Sequence, residues 1–126
     1  MKRKFSTQWK SSRKPSKQKK YRLNAPLHIK QKFMSTHLSK ELRQKYKKRN
    51  VDLRKGDKVK VMRGNFKKHE GKVDRVDMKK SLIFITGVEA VKKDGTKRLI
   101  GINPSNLMIT ESNIDDKLRQ KALERK

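Results

Sequence analysis

The sequence predicts a mainly β protein: a small barrel that follows a basic N-terminal extension with short helices and precedes a C-terminal helix. Apolar residues are concentrated in the second part of the chain, with 26 in residues 51–126 against 13 in residues 1–50. From residue 51 onward, short alternating apolar and polar segments recur between turn residues, which is typical of strands in a small barrel. The first fifty residues hold 18 Lys and Arg with a single acid, Glu41. We therefore divide the 126 residues into an extension, a barrel over 51–110 and a helix over 111–126.

The extension is predicted to have no core of its own. Residues 1–22 show no apolar periodicity, and we expect them to be an extended arm when free. A short helix is predicted to begin at Pro26, because proline suits the first turn of a helix. A second helix is predicted to begin after Ser39, whose hydroxyl can cap it. The narrow apolar stripe of this second helix would dock on the barrel or on the partner; it consists of Leu38, Leu42 and Tyr46.

The barrel strands are predicted from period-two patterns and turn signals. Val59 and Val61 should point into the core while the lysines beside them point outward. A second, bulged strand is predicted around Val73, and the apolar run Leu82–Ile85 should be a third strand that Gly87 ends. A closed barrel would leave no exposed edge.

The end of the chain predicts a hairpin, a last strand and a helix. Asp94-Gly95 is typical of a hairpin turn in which both residues have positive φ. A last strand is predicted over 107–110. Asn113 is predicted to cap the C-terminal helix. The apolar stripe of that helix would consist of Ile114, Leu118 and Ala122.

The charge restricts the partner. The chain carries 38 Lys and Arg against 12 Asp and Glu, a formal net charge of +26, and only a polyanion can offset that charge over most of the surface. Nucleic acid is therefore the leading candidate. No apolar run approaches the length of a membrane span, and the N-terminus lacks the apolar region of a secretory signal. An organellar transit peptide is an alternative reading of this basic, Ser-containing segment.

A glycine-bounded basic loop is the most informative stretch of the sequence. Gly56, Gly64 and Gly71 are predicted to shape the turn before the first barrel strand, the exit from that strand and the return to the sheet. For Gly71 we expect a φ that other residues avoid. The loop between the two strands presents hydrogen-bond donors for phosphate and 2′-hydroxyl groups, namely Arg63, Lys67, Lys68 and His69. Without further support, a solvated hairpin tip remains the alternative.

This stretch resembles the KOW motif. The matching residues are Lys55-Gly56-Asp57, Val59, Val61-Met62-Arg63-Gly64, Phe66-Lys67 and His69-Glu70-Gly71-Lys72-Val73. Further blocks lie outside this motif: Tyr21-Arg22, Asn24–Ile29, Phe33–Ser35, His37–Leu42 and Pro104–Thr110. With these blocks, the wider chain resembles the archaeal and eukaryotic form of a universal large-subunit ribosomal protein family, number twenty-four in bacterial nomenclature. One departure is Lys68, where the family often has glycine.

The resemblance implies an SH3-like barrel that binds the 5′ domain of large-subunit ribosomal RNA early in assembly, near the exit of the peptide tunnel. It implies neighbouring ribosomal proteins as partners, a place in the cytoplasmic ribosome and no homo-oligomer. The end of the sequence at Lys126 favours the archaeal form. We expect RNA contacts from basic, aromatic and histidine side chains, which can bind phosphates or stack on bases. The predicted set outside the loop is Trp9, Arg13, Lys14, Lys17, Lys19, Lys20, Tyr21, Arg22, His28, Lys32, His37, Arg43, Arg54 and Lys55.

Catalysis, metals and cofactors are not predicted. The three histidines lack metal-ligand spacing, and the sequence has no cysteine. The run from Gly64 to Lys72 fails as a phosphate-binding P-loop, because its spacing differs and Val73 stands where Ser or Thr should be. The alternatives to a ribosomal protein are a KOW protein of transcription elongation and a DNA-compacting protein. An elongation factor would need a globular domain before the KOW module, and residues 1–50 are too basic and too poor in apolar residues for one.

Overall fold

The computed structural model describes residues 5–6 and 11–125. Within these ranges the helices are α1 (Pro15–Asn24), α2 (Leu27–Lys32), α3 (Lys40–Tyr46) and α4 (Lys117–Glu124). The strands are β1 (Ser35–Leu38), β2 (Asn50–Asp52), β3 (Lys58–Val61), β4 (Glu70–Asp77), β5 (Leu82–Val91), β6 (Lys97–Ile102) and β7 (Leu107–Glu111). A 3-10 turn, Pro104–Asn106, leads into β7. Among the described helices, none combines the length and apolar content needed to cross a bilayer.

The strands form one sheet in the order β2-β1-β7-β3-β4-β5-β6. Strands β3 to β6 follow one another as an antiparallel meander, and β7 returns to pair with β3. This confirms the mainly β prediction and is consistent with a small SH3-like fold. The predicted closure is wrong, because β2 and β6 remain at the two ends of the sheet. The outer edge of β7 pairs in parallel with β1 of the extension, so it is not available to close the barrel.

The core is a cluster of buried apolar side chains contributed by several strands of this sheet. Val59 and Val61 are buried as predicted, at 0% and 1% exposure, and so are Ile83, Ile85 and Ile109. The extension, however, is not without a core. Met34 and Leu38 are 2% and 1% exposed and join the same cluster, because β1 pairs with both β2 and β7. The division of the chain at residues 50 and 110 remains a prediction.

In the extension, α2 and α3 begin where the sequence predicts. Pro26 is the N-cap of α2, and the Leu42 amide donates to the Ser39 hydroxyl at the start of α3 over 3.3 Å. Two expectations are wrong. Residues from Pro15 onward form α1, which buries no residue, instead of continuing an extended arm. Leu38 lies in β1 and not on the stripe of α3, since the chain becomes helical only after its cap.

The bulge of β4 agrees with the prediction, whereas Gly87 and the Asp94-Gly95 turn do not. The predicted bulge of β4 is confirmed by a register shift between Val73 and Arg75. Gly87, with φ 86°, does not end β5; it forms a bulge around which the strand continues. In the Asp94-Gly95 turn between β5 and β6, Gly95 has positive φ, at 81°, and Asp94 does not. Asp94 needs none, because its carboxylate closes the turn by accepting from the Thr96 amide at 2.9 Å.

The C-terminal helix α4 begins later and faces differently than predicted. Asp116 and not Asn113 is its N-cap, accepting from the Leu118 amide at 2.8 Å. Leu118 is 74% exposed, whereas Arg119 and Leu123 are buried at 4% and 2%. The predicted apolar stripe is therefore wrong. The helix turns Arg119 inward because that guanidinium pairs with the buried carboxylate of Asp57, in the turn before β3.

Candidate RNA-binding surface

The β3–β4 loop is a short basic segment held at both ends by backbone hydrogen bonds. The Val61 amide donates to the His69 carbonyl at 2.9 Å, and the Lys68 amide donates to the Val61 carbonyl at 2.8 Å. Phe66 anchors the loop from within by packing on the core. The predicted cations Arg63, Lys67 and Lys68 are all exposed. The loop therefore presents three positive charges from a fixed backbone.

These loop cations are not neutralised by the protein. Within the described part of the chain, no acidic group forms a salt bridge with Arg63, Lys67 or Lys68. The lysines of the adjacent strand β3 differ. Lys58 Nζ lies 2.8 Å from Glu111 Oε1, and Lys60 Nζ lies 2.9 Å from Glu70 Oε1.

The strand ion pairs also shift the pKa values of their members. The hydrogen bond with Glu111 raises the pKa of Lys58, and the hydrogen bond from Lys60 lowers the pKa of Glu70. Both shifts favour the charged forms of Lys58 and Glu70. The strand lysines are neutralised within the protein, while the loop cations remain available to an external anion.

His69 is held against the sheet. Its Nε2 lies 3.1 Å from the Thr86 carbonyl oxygen, which fixes that nitrogen as the donor. The ring covers Gly87, where an added Cβ would lie 2.9 Å from ring atoms. Only Nδ1 is left for an RNA contact. Thr86 and Gly87 position this histidine, a role that our sequence reasoning missed; the Thr-Gly pair after the apolar run was the available signal.

The three turn glycines differ in backbone conformation. Gly56 and Gly64 have φ of 90° and 91°. Gly71 does not have positive φ, so the conformational reason given for it is wrong. Its reason is steric, because an added Cβ would lie 2.6 Å from the Thr86 carbonyl oxygen.

Lys68 adopts the left-handed conformation, with φ 73°. A position with this φ favours glycine, which agrees with the glycine that the resembled family often has there, so Lys68 bears backbone strain. We expect Lys68→Gly to raise the free energy of unfolding by about 0.5–1 kcal/mol, since relief of a left-handed side chain outweighs the added entropy of glycine. Urea denaturation followed by circular dichroism measures this.

Lys68→Ala separates strain from charge in this test. It removes the same charge but keeps a Cβ at positive φ, so it should leave stability near that of the wild type. If Lys68→Gly were no more stable than Lys68→Ala, the left-handed conformation would carry no measurable strain.

The basic and histidine side chains predicted to contact RNA from the extension are exposed. The exposed members are Arg13, Lys14, Lys17, Lys19, Lys20, Arg22, His28, Lys32, His37 and Arg43. Arg54 and Lys55, before β3, are also exposed. Arg43 and Arg54 are partly engaged, since Arg43 Nε donates to the Leu38 carbonyl at 2.9 Å and Arg54 pairs with Asp116. The two cations before β3 do not belong to the loop cluster itself.

The predicted aromatic contacts are only partly described. Tyr21 is half-buried and packs between Phe5 and Phe33, with ring centroids 4.8 Å and 6.1 Å away. Its ring thus ties α1 to the end of α2, and its stacking on a base stays a prediction. Trp9 lies outside the described residues.

No group of metal-ligating side chains is present among residues 5–6 and 11–125. The small β fold and the basic surface are typical of non-catalytic nucleic-acid-binding proteins. A family model that describes the eukaryotic ribosomal protein L26 and its archaeal counterpart, ribosomal protein L24, matches residues 12–126. The chain belongs to this family of structural, non-enzymatic proteins, which are components of the cytoplasmic ribosome in archaea.

Three curated archaeal relatives carry the same name, large ribosomal subunit protein uL24. The relative from Methanothrix thermoacetophila is 49% identical over 114 residues, covering 90% of this chain and 98% of its own. That from Korarchaeum cryptofilum is 47% identical over 115 residues, covering 91% and 88%. That from Methanosphaera stadtmanae is 44% identical over 115 residues, covering 91% and 98%. These findings support a structural constituent of the large subunit, of the archaeal type, and give no support to a role in transcription or DNA compaction.

Proposed function

We propose that this protein binds the 5′ domain of large-subunit ribosomal RNA and helps to initiate its assembly, near the peptide exit tunnel and beside other ribosomal proteins. It acts as a single copy. The observation that carries the proposal is the β3–β4 loop, whose Arg63, Lys67 and Lys68 are exposed and have no acidic partner in the described chain. Membership in a ribosomal protein family supports ribosomal RNA as the polyanion.

The loop and the extension have different parts in this mechanism. The loop is fixed by backbone bonds and by Phe66, so it can meet RNA phosphates with little loss of conformational entropy. Helix α1 contacts the protein through the Tyr21 ring but buries none of its residues, and its exposed Lys17, Lys19, Lys20 and Arg22 can bind the RNA. Many phosphate contacts release many counterions, which makes binding steeply dependent on salt.

We expect Arg63→Ala and Lys67→Ala to weaken binding to a 5′-domain RNA fragment without lowering the melting temperature, because both side chains are exposed. Each variant should reduce the slope of log K against log salt by about 0.7–0.9, the value for one lost phosphate contact. Filter binding at several salt concentrations, with thermal unfolding of the same samples, measures both quantities.

Lys60→Ala is the matched control. It removes one lysine from the neighbouring strand, but that lysine is already paired with Glu70. Its salt slope should stay close to that of the wild type. Loop variants that lose stability but keep their salt slope would contradict the proposal.

The assembly role is tested by order of addition. Precursor RNA incubated with the protein before the other ribosomal proteins should form large subunits faster than RNA that receives it last. If the order had no effect, the protein would be a late component and the assembly part of the proposal would fail.

A further inference from the structure

The β5–β6 hairpin extends beyond the core. Val88 is fully buried and Ile100 packs on the core, but every residue from Val91 to Arg98 is exposed. The ladder nevertheless stays regular, with Ala90 opposite Arg98. At about 3.3 Å per residue, the ribbon projects roughly 13 Å past Val88 before the turn. This overhang is therefore an ordered element that packs on no other part of the described chain.

The two faces of the overhang differ in charge. Side chains alternate along a strand, so Ala90 and Lys92 lie on the same face as Val88, and Arg98 lies on the same face as Ile100. This core-side face changes from apolar to cationic where the core ends. If another segment of the chain covered it, apolar residues would be expected there. Its two cations instead favour an anionic partner.

The cations at this end of the hairpin have no acidic partner within the described chain. Among the described residues, Lys92, Lys93 and Arg98 form no salt bridge. Asp94 lies in the turn itself, where its Oδ1 accepts from the Thr96 hydroxyl at 2.6 Å and from the Thr96 amide at 2.9 Å, and in the described chain it forms no salt bridge with these cations. The remaining acid of the ribbon, Glu89, lies on the opposite face.

Lys97, the neighbour of Arg98, differs from it in having an acidic partner. It lies opposite Val91 on the outer face, and its Nζ is 3.8 Å from Glu89 Oε2. The ribbon thus has a neutralised outer face and an unneutralised core-side face. Of these two adjacent cations, Lys97 has an acidic partner and Arg98 has none in the described chain.

We propose that the core-side face of the overhang is a second RNA-binding site, in which Arg98 and Lys92, with Lys93 at the turn, bind phosphates of one RNA segment. A narrow two-stranded ribbon with cations along one face can follow a backbone without needing base contacts. The inference rests on the proposed function for the identity of the anion. It adds that the RNA is held at two separate places, the β3–β4 loop and this hairpin.

The test compares full-length variants in hydroxyl-radical footprinting of a bound 5′-domain RNA fragment and in salt titrations. The triple variant Lys92→Gln/Lys93→Gln/Arg98→Gln should reduce the salt slope by about 2–3. It should lose protection of one RNA segment and keep the protection that Arg63→Ala or Lys67→Ala removes. Arg98→Gln alone should lower the slope by about 0.7–0.9, whereas Lys97→Gln should leave it nearly unchanged.

The outcomes separate the two proposals. A wild-type chain that binds the RNA without salt dependence would overturn both. A triple variant with the wild-type slope and footprint, while loop variants are impaired, would overturn the hairpin site alone. The hairpin site would also fail if the triple variant bound isolated RNA normally but were lost from assembled subunits, since a protein neighbour would then be the partner.

Discussion

Replacing Arg119 by alanine is expected to lower the free energy of unfolding by about 3–5 kcal/mol, the cost of leaving a buried charge without its partner. The guanidinium is 4% exposed and the Asp57 carboxylate is fully buried. Two hydrogen bonds join them, NH1 to Oδ1 at 2.6 Å and NH2 to Oδ2 at 2.7 Å. This bidentate pair is the strong form of a charge-assisted interaction.

The loss should be large because Asp57 is a hub for several segments. Its carboxylate also accepts from the Arg54 amide and the Asn113 amide, each at 2.9 Å. Arg119 in turn donates to the carbonyls of Asn113 and Asp52, at 2.8 Å and 3.2 Å. The pair thus connects α4, the segment before it, β2 and the turn before β3. Without Arg119, a buried carboxylate keeps only two neutral donors.

Arg54→Ala is the matched control for this prediction. It breaks the exposed pair with Asp116, whose side chains are 47% and 39% accessible, and should cost at most about 1 kcal/mol. High salt should reduce the Arg54 effect and leave the Arg119 effect almost unchanged, since buried pairs are little screened. Urea unfolding at two salt concentrations measures both. Equal, small losses in the two variants would show that α4 is not held by the buried pair.

The same pair shows where sequence reasoning reached its limit. The burial of Val59 and Val61 was predictable because it depends on strand alternation, which is local. The buried side of α4 was not predictable. Its apolar pattern indicated that Leu118 faces the core, but the structure buries Arg119 instead. The determinant is a carboxylate 62 positions earlier in the chain. A buried arginine carries no local signature, since arginine is usually exposed.

The extension shows a second limit of the same kind. Its charge predicted a segment without a core, yet Ser35–Leu38 forms a strand between β2 and β7. Four residues are too few for periodicity to distinguish a strand from a helix. Their partners at Asn50–Asp52 and Met108–Ile109 become visible only in the folded chain. Because β1 occupies the outer edge of β7, the sheet does not close into a barrel.

The candidate RNA-binding loop was more predictable than the orientation of α4 or the strand in the extension. Glycines bounding a run of cations predict an exposed basic turn, and Arg63, Lys67 and Lys68 are exposed. The sequence also singled out Lys68 as a departure from the resembled family, and its φ of 73° gives the physical reason. For the contact between His69 and Thr86 the Thr-Gly pair was the available signal, but the sequence does not specify how the loop lies against β5.

Gly71→Val should destabilise the fold by about 3 kcal/mol or more, the upper end of the range for groups forced into a packed site. A Cβ at this position would lie 2.6 Å from the Thr86 carbonyl oxygen and 2.8 Å from Ile85 Cγ2. Gly71 pairs with Val59 on β3, so the strand cannot move away from β5 without breaking that ladder. Ile85 is itself fully buried. The substitution should therefore shift the β4–β5 pairing or unfold the sheet.

Gly64→Ala and Gly71→Ala complete the test, because the first introduces only backbone strain at positive φ and the second only a steric contact. Gly64 has φ 91° but nothing within 4 Å of an added Cβ, so alanine there should cost only about 1–2 kcal/mol of left-handed strain. Gly71 has ordinary φ, so any loss in Gly71→Ala reports the steric contact alone. Because a backbone carbonyl cannot rotate aside as a side chain can, we expect alanine at Gly71 to cost at least as much as at Gly64. A Gly71→Val protein with a wild-type circular dichroism spectrum and urea midpoint would show that β5 can retreat from β4, which the packing of Ile85 argues against.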